Sequence, residues 1–217
     1  MIADIKMAFK LIKYSYNVKM NTIIAVIFSV LGLIIMLVDK GLAITGGIYF
    51  ILGGMMFAQL LENVLYSNFV LASPKRRKID VDIINLSVTI LSLGGYLFIA
   101  VIFLIFAKCR PSDEIQYYSL IVLMGLFDAL MLSYFAIAYK YFAFGFIIFI
   151  IAFSGLYCYI SFKRFSFNIA TSGFTAFLTG LFIVIVGCFF SMFIRKILYK
   201  KPLSPMAAGM AFKKFMK

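Results

Sequence analysis

The 217-residue sequence contains no histidine and no tryptophan, and only 8 acidic residues, 4 prolines and 3 cysteines. Without histidine there can be no Ser/His or Cys/His nucleophile pair, no HExxH zinc site and no His-ligated haem. An enzyme built on this chain would have to rely on carboxylates. Cys109, Cys158 and Cys188 form an odd set without CxxC spacing, which argues against a disulfide framework or a zinc site and for small apolar filler. A GxxxxGK[ST] loop is missing too, so the chain cannot cradle ATP phosphates in the P-loop manner. Charge is scarce: 13% of residues carry one, against about 25% in ordinary soluble domains. A soluble protein of this size could not build its surface from so few.

What is present is apolar and basic. Hydrophobic residues make up 65% of the chain, and 21 Lys and Arg leave a formal charge of +13. The mean hydropathy is +1.08. Nucleic-acid binding explains basic chains but not a missing hydrophilic surface. The combination points to an all-α integral membrane protein that keeps its cations outside the hydrocarbon.

Residues 1–20 do not follow the pattern of a secretory signal peptide, because no A-x-A-like cleavage site follows the apolar run. At helical pitch Lys6, Lys10, Lys13 and Asn17 share one stripe, and Ile5, Phe9, Ile12 and Tyr16 share another. Residues 4–18 are therefore expected to form an interfacial helix with its lysines toward anionic headgroups; the alternative is a charged flank of the first span. Six spans are expected, at about 22–38, 42–61, 83–106, 117–139, 141–162 and 174–194. The first is about 25 Å long. Residues 165–173, with Ser166, Asn168, Thr171 and Ser172, are expected to form a short interfacial or re-entrant element, and 195–217 a basic tail.

With both termini on one side, that side holds 16 of the 21 cations. The positive-inside rule then places both termini in the cytoplasm. With no tryptophan, the tyrosines near predicted span ends, Tyr14, Tyr16, Tyr66, Tyr117, Tyr118, Tyr139, Tyr141 and Tyr199, are expected to form the interfacial belt. Gly46 and Gly53, Gly47 and Gly54, and Gly173, Gly180 and Gly187 recur at seven-residue spacing. Each set lies on one helix face, suited to close packing within the subunit or between subunits.

The most specific segment is Ser73-Pro74-Lys75-Arg76-Arg77-Lys78-Ile79-Asp80-Val81-Asp82. Ser73 suits an N-cap and Pro74 the first helical position. A short cytoplasmic helix starting there would end near Asp82 or run into the third span. The cations serve either as a positive-inside determinant or as a compact charged knob.

Six spans, a basic interfacial helix and this S-P-K-R-R-K-I-D-V-D knob together resemble the ABC-2 class of transporter permeases, more narrowly a membrane subunit of the phenol-soluble-modulin exporter. The resemblance implies that Ser73–Asp82, with Ser73, Pro74, Lys75, Arg76, Arg77, Lys78, Asp80 and Asp82, is a coupling helix that docks on a separate ABC ATPase subunit. It implies that residues 4–18 are the connecting helix, anchored by Lys6, Lys10 and Lys13, and that 165–173 is the outer element between spans five and six. ATP and Mg would belong to the partner ATPase, with no cofactor on this chain. Two permease copies in a bacterial cytoplasmic membrane would export amphipathic peptide toxins, with clearance of antimicrobial peptides as a further role.

Two carboxylates fall within the apolar runs, Glu62 and Asp128. Such groups mark a function or a pairing, because a charge at mid-membrane is costly. Glu62, late in span two beside Asn63, suits a hydrated position or a helix pairing, or else a substrate contact. Asp128 could contact cationic substrate, hold a proton or bond a neighbouring helix. The competing functional reading is the substrate-binding membrane subunit of an energy-coupling-factor importer, with Ala25, Ser29 and Gly32 as its docking stripe. An intramembrane enzyme comes third, weakened by the missing histidines.

Overall fold

The computed structural model describes residues 2–15, 18–38, 42–66, 70, 73–162, 169, 170 and 172–201. Among these the chain is helical, without a strand. A short helix α1 (Ile2–Leu11) and a 3-10 turn (Ile12–Tyr14) precede α2 (Val18–Val38) and α3 (Ala43–Asn63). A π-wound segment, Lys78–Ile84, continues without a break into α4 (Asn85–Cys109). Then follow α5 (Glu114–Ala138), α6 (Phe142–Phe162) and α7 (Gly173–Leu198). Five of these segments are long and apolar enough to cross a membrane: α2, α3, Lys78–Cys109, Pro111–Ala138 and α7. Within α6 the apolar stretch Phe142–Leu156 is shorter.

The helix starts follow local chemistry. Ser73 Oγ accepts from the Lys75 backbone N–H at 3.2 Å, and the Ser73 carbonyl accepts from Arg76 N–H at 3.0 Å. This satisfies donors that a helix N-terminus leaves free. At α7 the side chain of Ser172 accepts from Thr175 N–H at 3.2 Å. A stand-alone coupling helix does not form. The helix that starts beyond Pro74 meets no glycine or proline before Gly94, so nothing stops it and it runs into α4.

At the centre stands α5, packed on α3, α4, α6 and α7, while α2 lies outside and packs on α3. Its sequence has no single polar side, and side chains all round it are buried, from Tyr117 to Ala138. Small residues bring the helices together. A Cβ on Gly53 would lie 2.8 Å from the Ala25 carbonyl, and one on Gly46 would lie 2.7 Å from that of Gly32. Between α5 and α7, a Cβ on Gly125 would lie 2.8 Å from the Gly180 carbonyl, and one on Gly187 would lie 2.7 Å from Ala129 Cβ. On α6, Phe149 and Phe153 meet Tyr134 and Phe127 of α5 in ring contacts 5.1 and 5.7 Å between centroids.

The α1 helix has three sides. Ala8 and Leu11 are buried in the main core, Lys6, Lys10 and Lys13 are exposed, and Phe9 is 51% exposed on another side. Its neighbours are α3 and the π-wound start of α4, and Ala8 and Leu11 dock there while Phe9 faces away. The tyrosine belt also needs correcting. Tyr117, Tyr118 and Tyr139 are buried, their hydroxyls bonded to Arg110, Glu114 and Asp80. A phenol at a span end that finds a partner inside the bundle turns inward. Asp39 and Lys40, the outer element at 165–173 apart from Ile169, Ala170, Ser172 and Gly173, and tail residues 202–217 lie outside the described residues.

Candidate functional site

The ends of α3, α5 and α7 meet the start of the π-wound segment at one end of the bundle, and there the polar side chains converge. Lys75, Arg77, Lys78 and Asp82 are exposed, Arg76 is half-buried and Asp80 is buried. The knob therefore divides. Its outer side is a basic surface, and its inner side places Asp80 beneath it. The wider π winding turns Ile79, Asp80, Val81, Ile83 and Ile84 inward together.

Asp80 Oδ2 accepts the Tyr139 hydroxyl at 3.2 Å, which joins the knob to the end of α5. The charges of Lys140 and Arg76 both act on the same carboxylate. Over the Tyr139 ring lie two cations, Lys140 Nζ 4.9 Å from the centroid and Arg195 Cζ 5.3 Å from it. Both distances fall within the range in which a ring face attracts a cation. Arg195, wholly buried on α7, forms an ion pair with Glu62 on α3. Lys140 Nζ donates to the Lys201 carbonyl at 3.1 Å. Burial pulls the Lys140 ammonium below the ordinary lysine range; Asp80 opposes that pull and Arg76 adds to it. The result is one continuous network, Glu62–Arg195–Tyr139–Asp80, that crosses four helices.

The sequence-predicted residues thus part company. Glu62 resolves to a helix pairing with a definite partner. Ser73 and Pro74 start the helix, and Lys75 and Arg77 present free charge at its tip. Lys6 and Lys10 on α1 and Lys13 in the turn after it are exposed, and α1 packs against that same helix start. Asp128 is elsewhere, midway along α5, 2% exposed, accepting a hydrogen bond from Ser92 Oγ of α4. Sequence reasoning missed Arg195, Tyr139 and Lys140, all counted as end-of-span residues. One signal was available: Arg195 follows directly on an uncharged run and a full heptad after Cys188, within reach of the same buried face.

Ala25 is fully buried, Gly32 is buried, and Ser29 Oγ faces Gly53. The small-residue stripe of the first span is therefore occupied by α3 of the same chain. Among the described residues no cluster of three or more His, Cys, Asp or Glu could hold a metal. Comparison of the chain with protein-family models, with curated proteins and with solved structures finds no match in any of the three.

Proposed function

We propose that this chain is the membrane-spanning permease subunit of an ATP-driven exporter of the ABC-2 type. It would carry six spans, with α6 as the fifth, and both termini in the cytoplasm. Two copies would line the pathway, and a separate ABC ATPase subunit would bind and hydrolyse ATP with Mg. The cargo would be an amphipathic peptide toxin such as a phenol-soluble modulin. The knob residues Ser73, Pro74, Lys75, Arg76, Arg77, Lys78, Asp80 and Asp82 would form the ATPase coupling element, with Lys75, Arg77, Lys78 and Asp82 exposed to the partner and Asp80 tying the knob to the bundle from beneath.

One observation carries the reading. The exposed cations of the knob stand on a helix continuous with α4, and the inner side of that helix start is bonded through Asp80 to Tyr139 of the α5 end. From Tyr139 the network runs on to Arg195 and Glu62. A push on such a handle cannot be absorbed in a floppy loop. It must be passed to α3, α5 and α7 together, as a motor-driven permease requires. The importer reading is left without its docking face, because α3 already covers Ala25, Ser29 and Gly32.

The test is co-purification with a candidate ABC ATPase from the same genome, followed by ATP hydrolysis in lipid vesicles. Lys75→Glu/Arg77→Glu reverses charge only at exposed positions and leaves Asp80 and Arg76 untouched. The variant should fold normally yet lose the ATPase on a size-exclusion column and lose transport-stimulated hydrolysis. If it still co-purifies and hydrolyses ATP as the parent does, the coupling assignment is wrong.

A further inference from the structure

The carboxyl of Asp128 takes no part in the network at the basic end. It lies midway along α5, 2% exposed, on the helix that packs against both α4 and α7. On the α5–α7 side Gly125 touches the Gly180 backbone and Ala129 touches Gly187. On the α4 side Ser92 Oγ donates to Asp128 Oδ2. Tyr96 of α4 and Cys188 of α7 are buried within the electrostatic reach of the carboxyl. Both are neutral groups. No Lys or Arg among the described residues pairs with it: Arg195 is engaged with Glu62, and Lys140 sits at the far end of α5 over Tyr139.

An ionised carboxylate enclosed by apolar helices, without a counter-charge, is not a stable arrangement. A cation must accompany it. A metal cation such as sodium needs a cage of several oxygens, and among the described residues only the Ser92 hydroxyl is in hydrogen-bond contact with the carboxylate. The Tyr96 hydroxyl lies against Gly180, and neither it nor Thr89 Oγ1 is hydrogen-bonded to the carboxylate. The one cation that needs no cage is the proton.

We propose that Asp128 is an intramembrane proton-binding site, carrying its proton as the neutral acid and held in place by Ser92. The bound proton makes the α4–α5–α7 junction, packed at its glycine contacts, electrically neutral. This proposal is independent of the exporter reading, since it requires no ATPase and no cargo.

The experiment is infrared spectroscopy of the full chain in lipid vesicles at neutral pH, comparing parent, Asp128→Asn and Ser92→Ala. Asp128→Asn keeps the shape of the neutral acid and is expected to fold. The parent should show a protonated-carboxyl stretching band that Asp128→Asn lacks. In Ser92→Ala, where Asp128 is retained, the same band should move to the higher frequency of a free acid. Adding sodium at constant pH should leave the band in place. Two results overturn the proposal. One is a parent without the band, or with one unaltered in both variants. The other is a band that sodium erases at constant pH, which makes Asp128 a sodium ligand instead.

Discussion

Glu62 and Arg195 form the most exposed point of failure at the level of single residues, because each is buried and each carries the other's counter-charge. Removing one partner of such a pair costs about 3–5 kcal/mol, whereas replacing both by apolar groups of similar size is close to neutral. Arg195→Ala should therefore lower the thermal unfolding temperature of the detergent-purified protein sharply. Glu62→Leu/Arg195→Met should recover most of the loss. A double variant as unstable as Arg195→Ala would show that Arg195 acts through Tyr139 and not through Glu62. Lys140 gives a pH prediction whose sign can be worked out. Its ammonium is held below the ordinary lysine range, so over that interval the unfolded chain binds more protons than the folded one. Stability should then rise as pH climbs toward about 10.4, and Lys140→Met should flatten that rise in unfolding temperatures taken across alkaline pH. None of these partners could be paired from the sequence. Glu62 stood out as a carboxylate in an apolar run, but its cation lies on the last helix, and local spacing is blind to contacts between distant segments.

At the scale of the element, the glycine pairs separate what spacing can and cannot decide. Gly46 and Gly53 on α3 share one face with Gly47 and Gly54 just beside it, and the sequence treats the two sets alike. In the structure Gly53 meets the Ala25 carbonyl and Ser29, whereas Gly54 faces open space. A side chain at Gly53 must push α2 away, an overpacking cost of about 1–3 kcal/mol or more. Gly53→Leu should thus lower the unfolding temperature clearly, and Gly54→Leu should leave it nearly unchanged; equal effects would disprove the α2–α3 packing. The helices themselves were legible, because a charge-free run of about 20 residues has few other forms in a bilayer. The Ser73-Pro74 start was legible for the same local reason, as a cap and a first-turn proline announce themselves in two residues. The sequence left open whether the helix beyond them stops near Asp82 or runs into the third span; that Asp80 meets Tyr139 across the bundle could not be read from it. On α1 the lysine stripe could be read from pitch alone. Which apolar side docks could not, because the choice of Ala8 and Leu11 over Phe9 is made by the surface of α3 and α4.

Over the whole molecule the charge has a direction, and this can be tested without knowing what the protein transports. The knob, α1 and the end of α7 expose Lys6, Lys10, Lys13, Lys75, Arg77, Lys78, Lys196 and Lys200 at the end where α3 and α5 finish and α4 begins. The connection between α4 and α5 at the other end mixes signs, with Lys108 and Arg110 beside Asp113 and Glu114. The bias of Lys and Arg sets orientation while acids contribute little, so the first end is expected in the cytoplasm. Cys109, exposed at the second end, is a native reporter. With Cys158→Ser and Cys188→Ser in place, intact cells treated with a membrane-impermeant maleimide should label Cys109 fully. Moving the thiol to the basic end, as Lys75→Cys with Cys109→Ser added, should abolish labelling until the membrane is opened. The reverse pattern would turn the molecule over. The basic knob would then face away from the compartment that holds ATP, and no ATPase could reach it.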